Sequence, residues 1–195
     1  MKLVIFDFDD TVVRLGIDWH AVKAEVLALA RREGIAVDDG QHLVPLGNRL
    51  SDDARLKAEI DRIYLKYELG CADRRSYTVF PEVLALVREL KARGMLLAIA
   101  SGNHTDSIKT ILAQLRLLTH FDFVCGRDSV PRNKPSPDQL ELISRKLGAA
   151  KDEVLFVGDS VNDEAAAAAA GVKFFRFDKG PRKDVPGLRG KLGLP

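Results

Sequence analysis

A chain of 195 residues is long enough to bury a substantial core, and its length favours one domain, or one domain carrying an insertion. Hydrophobic residues make up 46% and charged residues 30%, which excludes a disordered or fibrous chain. Thirty Lys and Arg against 28 Asp and Glu leave a net charge of +2, too balanced for the footprint of a nucleic-acid backbone, so no nucleic-acid partner is expected.

Cys71 and Cys125 lie far apart and form no metal-type pair, so each is expected as a buried free thiol. No apolar stretch reaches membrane-spanning length, and the first residues lack a signal-peptide pattern; the expectation is a cytoplasmic protein without a membrane partner. Residues 179–191 are locally basic and read as a solvated terminus.

In chain order, short apolar runs appear at 3–6, 95–99, 121–124, 154–157 and 172–175. Their length and two-sided hydrophobicity suit strands of a parallel sheet covered by helices on both faces. Between them lie helical patterns: Val83, Leu84, Leu86, Val87 and Leu90 after Pro81 and before Gly94; Ile108, Ile111, Leu112 and Leu115; and Leu140, Leu142, Ile143 and Leu147 before Gly148. The alanine run 165–170 predicts a helix packed closely on the sheet. This alternation predicts an α/β fold with a doubly wound parallel sheet.

One stretch interrupts it. Residues 12–78 contain no convincing strand; Trp19, Val22, Val26 and Leu29 mark a helix ending near Gly34. A second helix is predicted from an N-cap at Ser51 through Leu56, Ile60, Ile63 and Tyr67 to Gly70. The division expected is therefore a core of residues 1–11 and 79–195 with a small helical insert of residues 12–78, joined back by a polar, exposed linker over 72–77.

Ligands of open α/β sheets bind beyond the carboxyl ends of the strands. Here those ends carry Asp7-Phe8-Asp9-Asp10-Thr11, Ser101-Gly102-Asn103 and Gly158-Asp159-Ser160, with Asp163 one helical turn later and Lys134 just before another helix. Alternation along an extended segment sends Asp7 and Asp9 to the same side. With Asp159 arriving from another strand, three acids converge into an oxygen-rich site suited to a hard cation such as Mg²⁺. Lys134 offers a positive charge, and Ser101 with the amides of Gly102 and Asn103 offers donors to phosphate oxygens. Together these parts point to phosphoryl transfer on a small phosphorylated substrate.

At these residues the chain resembles the haloacid dehalogenase superfamily. Asp7-Phe8-Asp9-Asp10-Thr11 is similar to that family's first motif, Ser101 to its second, Lys134 to its third, and Gly158-Asp159-Ser160 with Asp163 to its fourth, in the family's order. The resemblance implies a Rossmann-like core with the insert as cap, and a phosphatase akin to phosphoglycolate phosphatases. It implies Asp7 as nucleophile, forming an aspartyl-phosphate, and Asp9 as the acid that protonates the leaving oxygen and then activates water. It implies Mg²⁺ held by Asp7, the Asp9 carbonyl and Asp159, with Asp163 in direct or water-mediated support, and Thr11, Ser101, Gly102, Asn103 and Lys134 around the phosphoryl group. Asp10 departs from many relatives, which carry Gly there, at a variable position of the motif.

Each residue has a plainer reading. Asp163 can simply favour its helix start, Ser101 can be a loop hydroxyl and Lys134 a solvated charge. The four histidines show no metal spacing. In the insert, Arg14, Arg49 and Lys23 are candidates for substrate contact, with solvated charge as the alternative. Asp9 argues against a dehalogenase; a phosphomutase and a catalytically silent phospho-ligand module remain as alternatives. The identity of the substrate and the oligomeric state are not legible.

Overall fold

Five strands form one parallel sheet: β1 (Leu3–Phe6), β4 (Leu96–Ala100), β5 (Phe123–Cys125), β6 (Val154–Gly158) and β7 (Lys173–Arg176), in the spatial order β5-β4-β1-β6-β7. The computed structural model describes residues 1–38, 40 and 53–194. Strand β1 sits at the centre and is buried along its whole length, which is why its four residues are apolar on both faces. The chain winds one way from β1 to β4 and β5 and the other way to β6 and β7, so the topological switch point falls beside the end of β1, where Asp7 follows.

Helices α3 (Pro81–Ala92), α4 (Thr105–Gln114), α5 (Asp138–Leu147) and α6 (Val161–Ala170) fill the crossovers. Pro81 opens α3 and Gly148 closes α5 in the left-handed conformation at φ 61°, as the sequence pattern predicts. In α6 the alanines turn inward: Ala166, Ala167 and Ala170 pack into one cluster with Leu3, Ile5, Ala98, Ala100 and Phe156 of the sheet and Leu140 and Ile143 of α5. Small side chains let this helix lie close to the strands beneath it.

The chain divides into two compact units, Met1–Leu15 with Tyr77–Pro195, and Gly16–Ser76. The first contains a pair of strands that the sequence reading missed, β2 (Val13–Leu15) and β3 (Tyr77–Val79), antiparallel with Val13 opposite Val79. They fall at the two edges of the stretch read as strandless. Three-residue strands carry too little alternation to be seen, and only their pairing across more than sixty intervening positions defines them.

The second unit holds α1 (Trp19–Arg32) and α2 (Ala54–Arg74), sharing a core of Val22, Val26, Leu29, Leu56 and Ile60. Asp53 caps α2, its side chain accepting from the amides of Arg55 and Leu56; Ser51 and the 41–50 segment lie outside the described residues. Gly70 does not end α2, because Cys71 and Ala72 beyond it are fully buried; the helix runs to Arg74 and closes at Arg75 in the left-handed conformation. The polar linker expected over 72–77 is thus helix at its start and strand at its end. Glu25 of α1 accepts hydrogen bonds from Lys66 and Tyr67 of α2, which holds its carboxyl below the usual value.

The basic terminus is not a solvated tail either. Residues 185–192 form α7 (Val185–Leu192), which packs on α3 with an Arg189–Glu89 pair between them and has Val185 and Leu188 buried; Lys183 just before it is buried. Among the described residues no helix is long and apolar enough to cross a membrane.

Candidate active site

Beyond β1 the chain extends for three more residues and then turns. The amide of Asp7 still donates to Val157 of β6, and alternation drives Phe8 into the core while Asp7 and Asp9 face the strand ends. The Phe8 carbonyl then accepts from the amides of Thr11, Val12 and Val13, closing a tight loop. At its apex Asp10 adopts φ 59°, the left-handed region that favours glycine.

Asp7 lies at the centre of the cluster. Lys134 Nζ donates to Asp7 Oδ1 at 2.6 Å, to Asp163 Oδ1 at 2.6 Å and to the Ala100 carbonyl at 3.0 Å, so one ammonium ties the ends of β1 and β4 to the first turn of α6. Lys134 and Asp7 are each over nine-tenths buried as side chains, which excludes the reading of Lys134 as a solvated charge. Burial pushes the Asp7 carboxyl up to about 7, with Lys134 pulling it down and Asp163 adding to the rise. Burial also opposes the Lys134 charge, yet the two carboxylates outweigh it and hold the ammonium above the usual lysine value. Thr11 is fully buried, its hydroxyl 3.5 Å from Asp7 Oδ2.

Asp163 serves two ends at once. Its Oδ2 accepts from the amide and hydroxyl of Ser160 in a capping box at the start of α6, while its Oδ1 meets Lys134. The helix-start reading of this residue therefore holds, and the same carboxylate also reaches Lys134.

Asp7, Asp159 and Asp163 each bring a carboxylate oxygen within 4.8 Å of the others, a cluster that can hold a metal ion. Three acids against one buried lysine leave uncompensated negative charge, and burial raises the Asp159 carboxyl, only partly countered by Lys179 at 3.4 Å. An all-oxygen donor set with excess negative charge fits a hard divalent cation.

Asp9 faces the same end of the sheet. Its Oδ1 accepts from the Leu15 amide at 2.8 Å, and burial pushes its carboxyl up to about 6, helped by the neighbouring charges of Asp10 and Asp159. Ser101 follows β4 directly after Ala100; its hydroxyl donates to Asn103 Oδ1 and accepts from the Asn103 amide, and both residues are buried while Gly102 is exposed.

Arg14 does not join the acid cluster. It lies on β2 in the first unit, outside the helical one, and pairs with Asp10. Arg49 lies outside the described residues.

Gln139 is a residue the sequence reading missed. Fully buried on α5, it donates through Nε2 to the carbonyls of Ser101 at 2.8 Å and Cys125 at 3.3 Å, bracing the ends of β4 and β5. A lone polar residue beside Leu140 on the apolar face of its helix was the available signal. Asp128 similarly accepts from the amide and hydroxyl of Thr105, fixing the start of α4. Lys179 and Lys183, hidden in a basic tail, gave no signal because only the tertiary fold returns them to the strand ends.

Residues 1–171 match the family model of the haloacid dehalogenase-like hydrolases. A phosphoglycolate phosphatase of Cereibacter sphaeroides is 32% identical over 93% of this chain and 87% of its own length. One from Shigella boydii is 27% identical over 88% of this chain and 67% of its own. Among solved structures, a haloacid dehalogenase-like hydrolase from Bacteroides fragilis superposes with a TM-score of 0.68 at 26% identity, covering 94% of this chain and 90% of that one.

Proposed function

The chain belongs to the haloacid dehalogenase-like hydrolases and is a phosphatase of that family, and from that premise we propose that it hydrolyses a small phosphorylated metabolite with Mg²⁺ through an aspartyl-phosphate on Asp7. The observation that carries the reading is the bridge of Lys134 between Asp7 and Asp163, beside Asp159, at the topological switch point of the sheet.

In this reading Asp7, Asp159 and the Asp9 carbonyl would hold Mg²⁺, with Asp163, whose oxygens are engaged by Ser160 and Lys134, in support through water or directly. The ion would supply charge neutralisation to the phosphoryl oxygens. Asp7 attacks phosphorus in line with the departing oxygen, and the bond from phosphorus to that oxygen breaks. Asp9 gives its proton to the departing oxygen, then takes one from the water that attacks the aspartyl-phosphate, returning Asp7 to its starting state. A carboxyl raised to about 6 by burial suits a group that must first give and then accept a proton near neutrality. Lys134, the Ser101 hydroxyl, Thr11 and the amides of Gly102 and Asn103 hold the transferring group, where positioning and charge do most of the catalysis.

The substrate proposed first is phosphoglycolate, on the names of the relatives, with the helical unit as the cap that sets substrate choice. Purified protein with Mg²⁺ should turn over p-nitrophenyl phosphate and should favour phosphoglycolate within a panel of sugar phosphates, nucleotides and phosphorylated acids. Absence of turnover on every member would overturn the assignment; preference for another member would replace the substrate. Exchange between sugar phosphate isomers would replace hydrolysis by a mutase reaction.

A further inference from the structure

The segment that follows β7 lies beyond the residues 1–171 matched by the family, yet it returns to the site. Lys183 is a buried cation with no part in the chemistry above. Its side chain is fully buried, with Nζ donating to the Asp178 carbonyl at 2.9 Å, lying 4.6 Å over the Phe80 ring and 3.8 Å from Asp10 Oδ1. Arg14 reaches the same carboxylate oxygen, its Nε donating at 2.7 Å, lies 5.7 Å over the same ring, and donates through Nη2 to the Gly180 carbonyl at 3.2 Å.

The segment itself is anchored. The Lys183 amide donates to Glu82 Oε1 at 3.0 Å, and α7 follows with Val185 and Leu188 buried. A fixed strap therefore presents a lysine to a carboxylate at the apex of the acid loop.

Asp10 occupies that apex in the left-handed conformation, where a side chain is tolerated at a cost and glycine is free. Its neighbour Asp9 is directed by the same turn, with the Leu15 amide on its carboxylate. We propose that Lys183 is a positioning residue for Asp9: with Arg14 it clamps Asp10, locks the 7–11 loop, and so makes the segment after β7 part of the working site. The kinetic arm of this inference rests on the phosphatase reading; the structural arm does not.

The structural arm reads amide hydrogen exchange in metal-free protein. Lys183→Met should speed exchange of the Leu15 amide by about tenfold while leaving the Asp7 amide protected, and Lys183→Arg should restore it. Asp10→Gly, which keeps the turn but removes the clamped carboxylate, should reproduce the change, and the double variant should add little to either single one.

In the kinetic arm, rapid-quench single turnovers of Lys183→Met should show phosphorylation of Asp7 by an alkyl phosphate, whose leaving oxygen needs a proton, slowed about tenfold. Phosphorylation by p-nitrophenyl phosphate, whose leaving oxygen needs no proton, should keep nearly the wild-type rate, while release of phosphate from Asp7, which needs Asp9 to activate water, should slow with both substrates.

Unchanged Leu15 exchange in folded Lys183→Met overturns the proposal, and so does an equal slowing of Asp7 phosphorylation by both substrates. If Lys183→Met does not fold, Asp10→Gly decides: faster Leu15 exchange supports the clamp, unchanged exchange overturns it. If the wild type hydrolyses no phosphate ester while the exchange pattern holds, the phosphatase reading fails and the clamp stands.

Discussion

Asp163 lies so close to Gly158 that a Cβ at position 158 would stand 2.7 Å from Asp163 Cγ. The contact packs the carboxylate that bears on Lys134 against the last residue of β6, where no side chain other than hydrogen fits without displacing it. Gly158→Ala should therefore destabilise the protein by ~1–3 kcal/mol, as overpacking of a dense interior does, and lower turnover by shifting Asp163 and Lys134. Urea unfolding and p-nitrophenyl phosphate kinetics check both; a variant of unchanged stability and activity would show that α6 gives way freely.

Removing Lys134 leaves Asp7 and Asp163 without their shared counter-ion in a buried site. Breaking such a pair from one side typically costs ~3–5 kcal/mol, so Lys134→Met should unfold at markedly lower urea in chelator. Mg²⁺ should recover part of that loss by neutralising the same acids, while activity stays lost. Equal midpoints for wild type and variant in chelator would contradict the role given to this ammonium.

The cluster of Asp7, Asp159 and Asp163 implies that activity depends on a divalent cation. Asp159→Ala should abolish turnover, and chelator should silence the wild type reversibly. Ca²⁺ should replace Mg²⁺ poorly, because it takes more ligands at longer distances. Full activity in excess chelator would refute the metal assignment.

Asp7 and Asp9 share one loop and could trade roles without changing the motif. Asp9→Asn should keep the nucleophile and lose proton transfer, a rate loss of ~10²–10⁴-fold, so an activated aryl phosphate should leave a persistent aspartyl-phosphate. Intact-protein mass spectrometry after rapid quenching should show added phosphate on Asp9→Asn and none on Asp7→Asn. The reverse pattern would exchange the two assignments.

Burial pushes the Cys125 thiol, ordinarily at 9.0, up to about 11. The folded state thus holds this proton more tightly than the unfolded chain. The associated stability is fully present below pH 9 and is lost as pH rises through about 11. With Cys125→Ala as reference, which does not titrate there, the wild type should lose ~2–3 kcal/mol relative to the variant between those limits, since each pKa unit is worth ~1.4 kcal/mol. A stability difference independent of pH would refute the shift.

The chain by itself carried the sheet and the acids and lysine that gather at its strand ends. Two-sided apolar runs, Pro81 before α3 and Gly148 after α5 are local signals, and they hold because a buried parallel strand and a helix end each impose their own residue preferences. The acids, the hydroxyls and Lys134 were legible for a related reason: strand ends in this topology point to one place, so their positions along the chain foretell their convergence. What only the tertiary structure decided was pairing across long separations. β2 and β3 are too short to be seen apart, and α2 runs past Gly70 because Cys71 and Ala72 find a core to enter. Arg14, expected in the insert, turns instead to Asp10, and Lys183, one basic residue among several in the tail, becomes a buried cation beside the same acid. Charge identity is written in the sequence, but which charge is desolvated, and against which partner, is set by the packing of segments far apart in the chain.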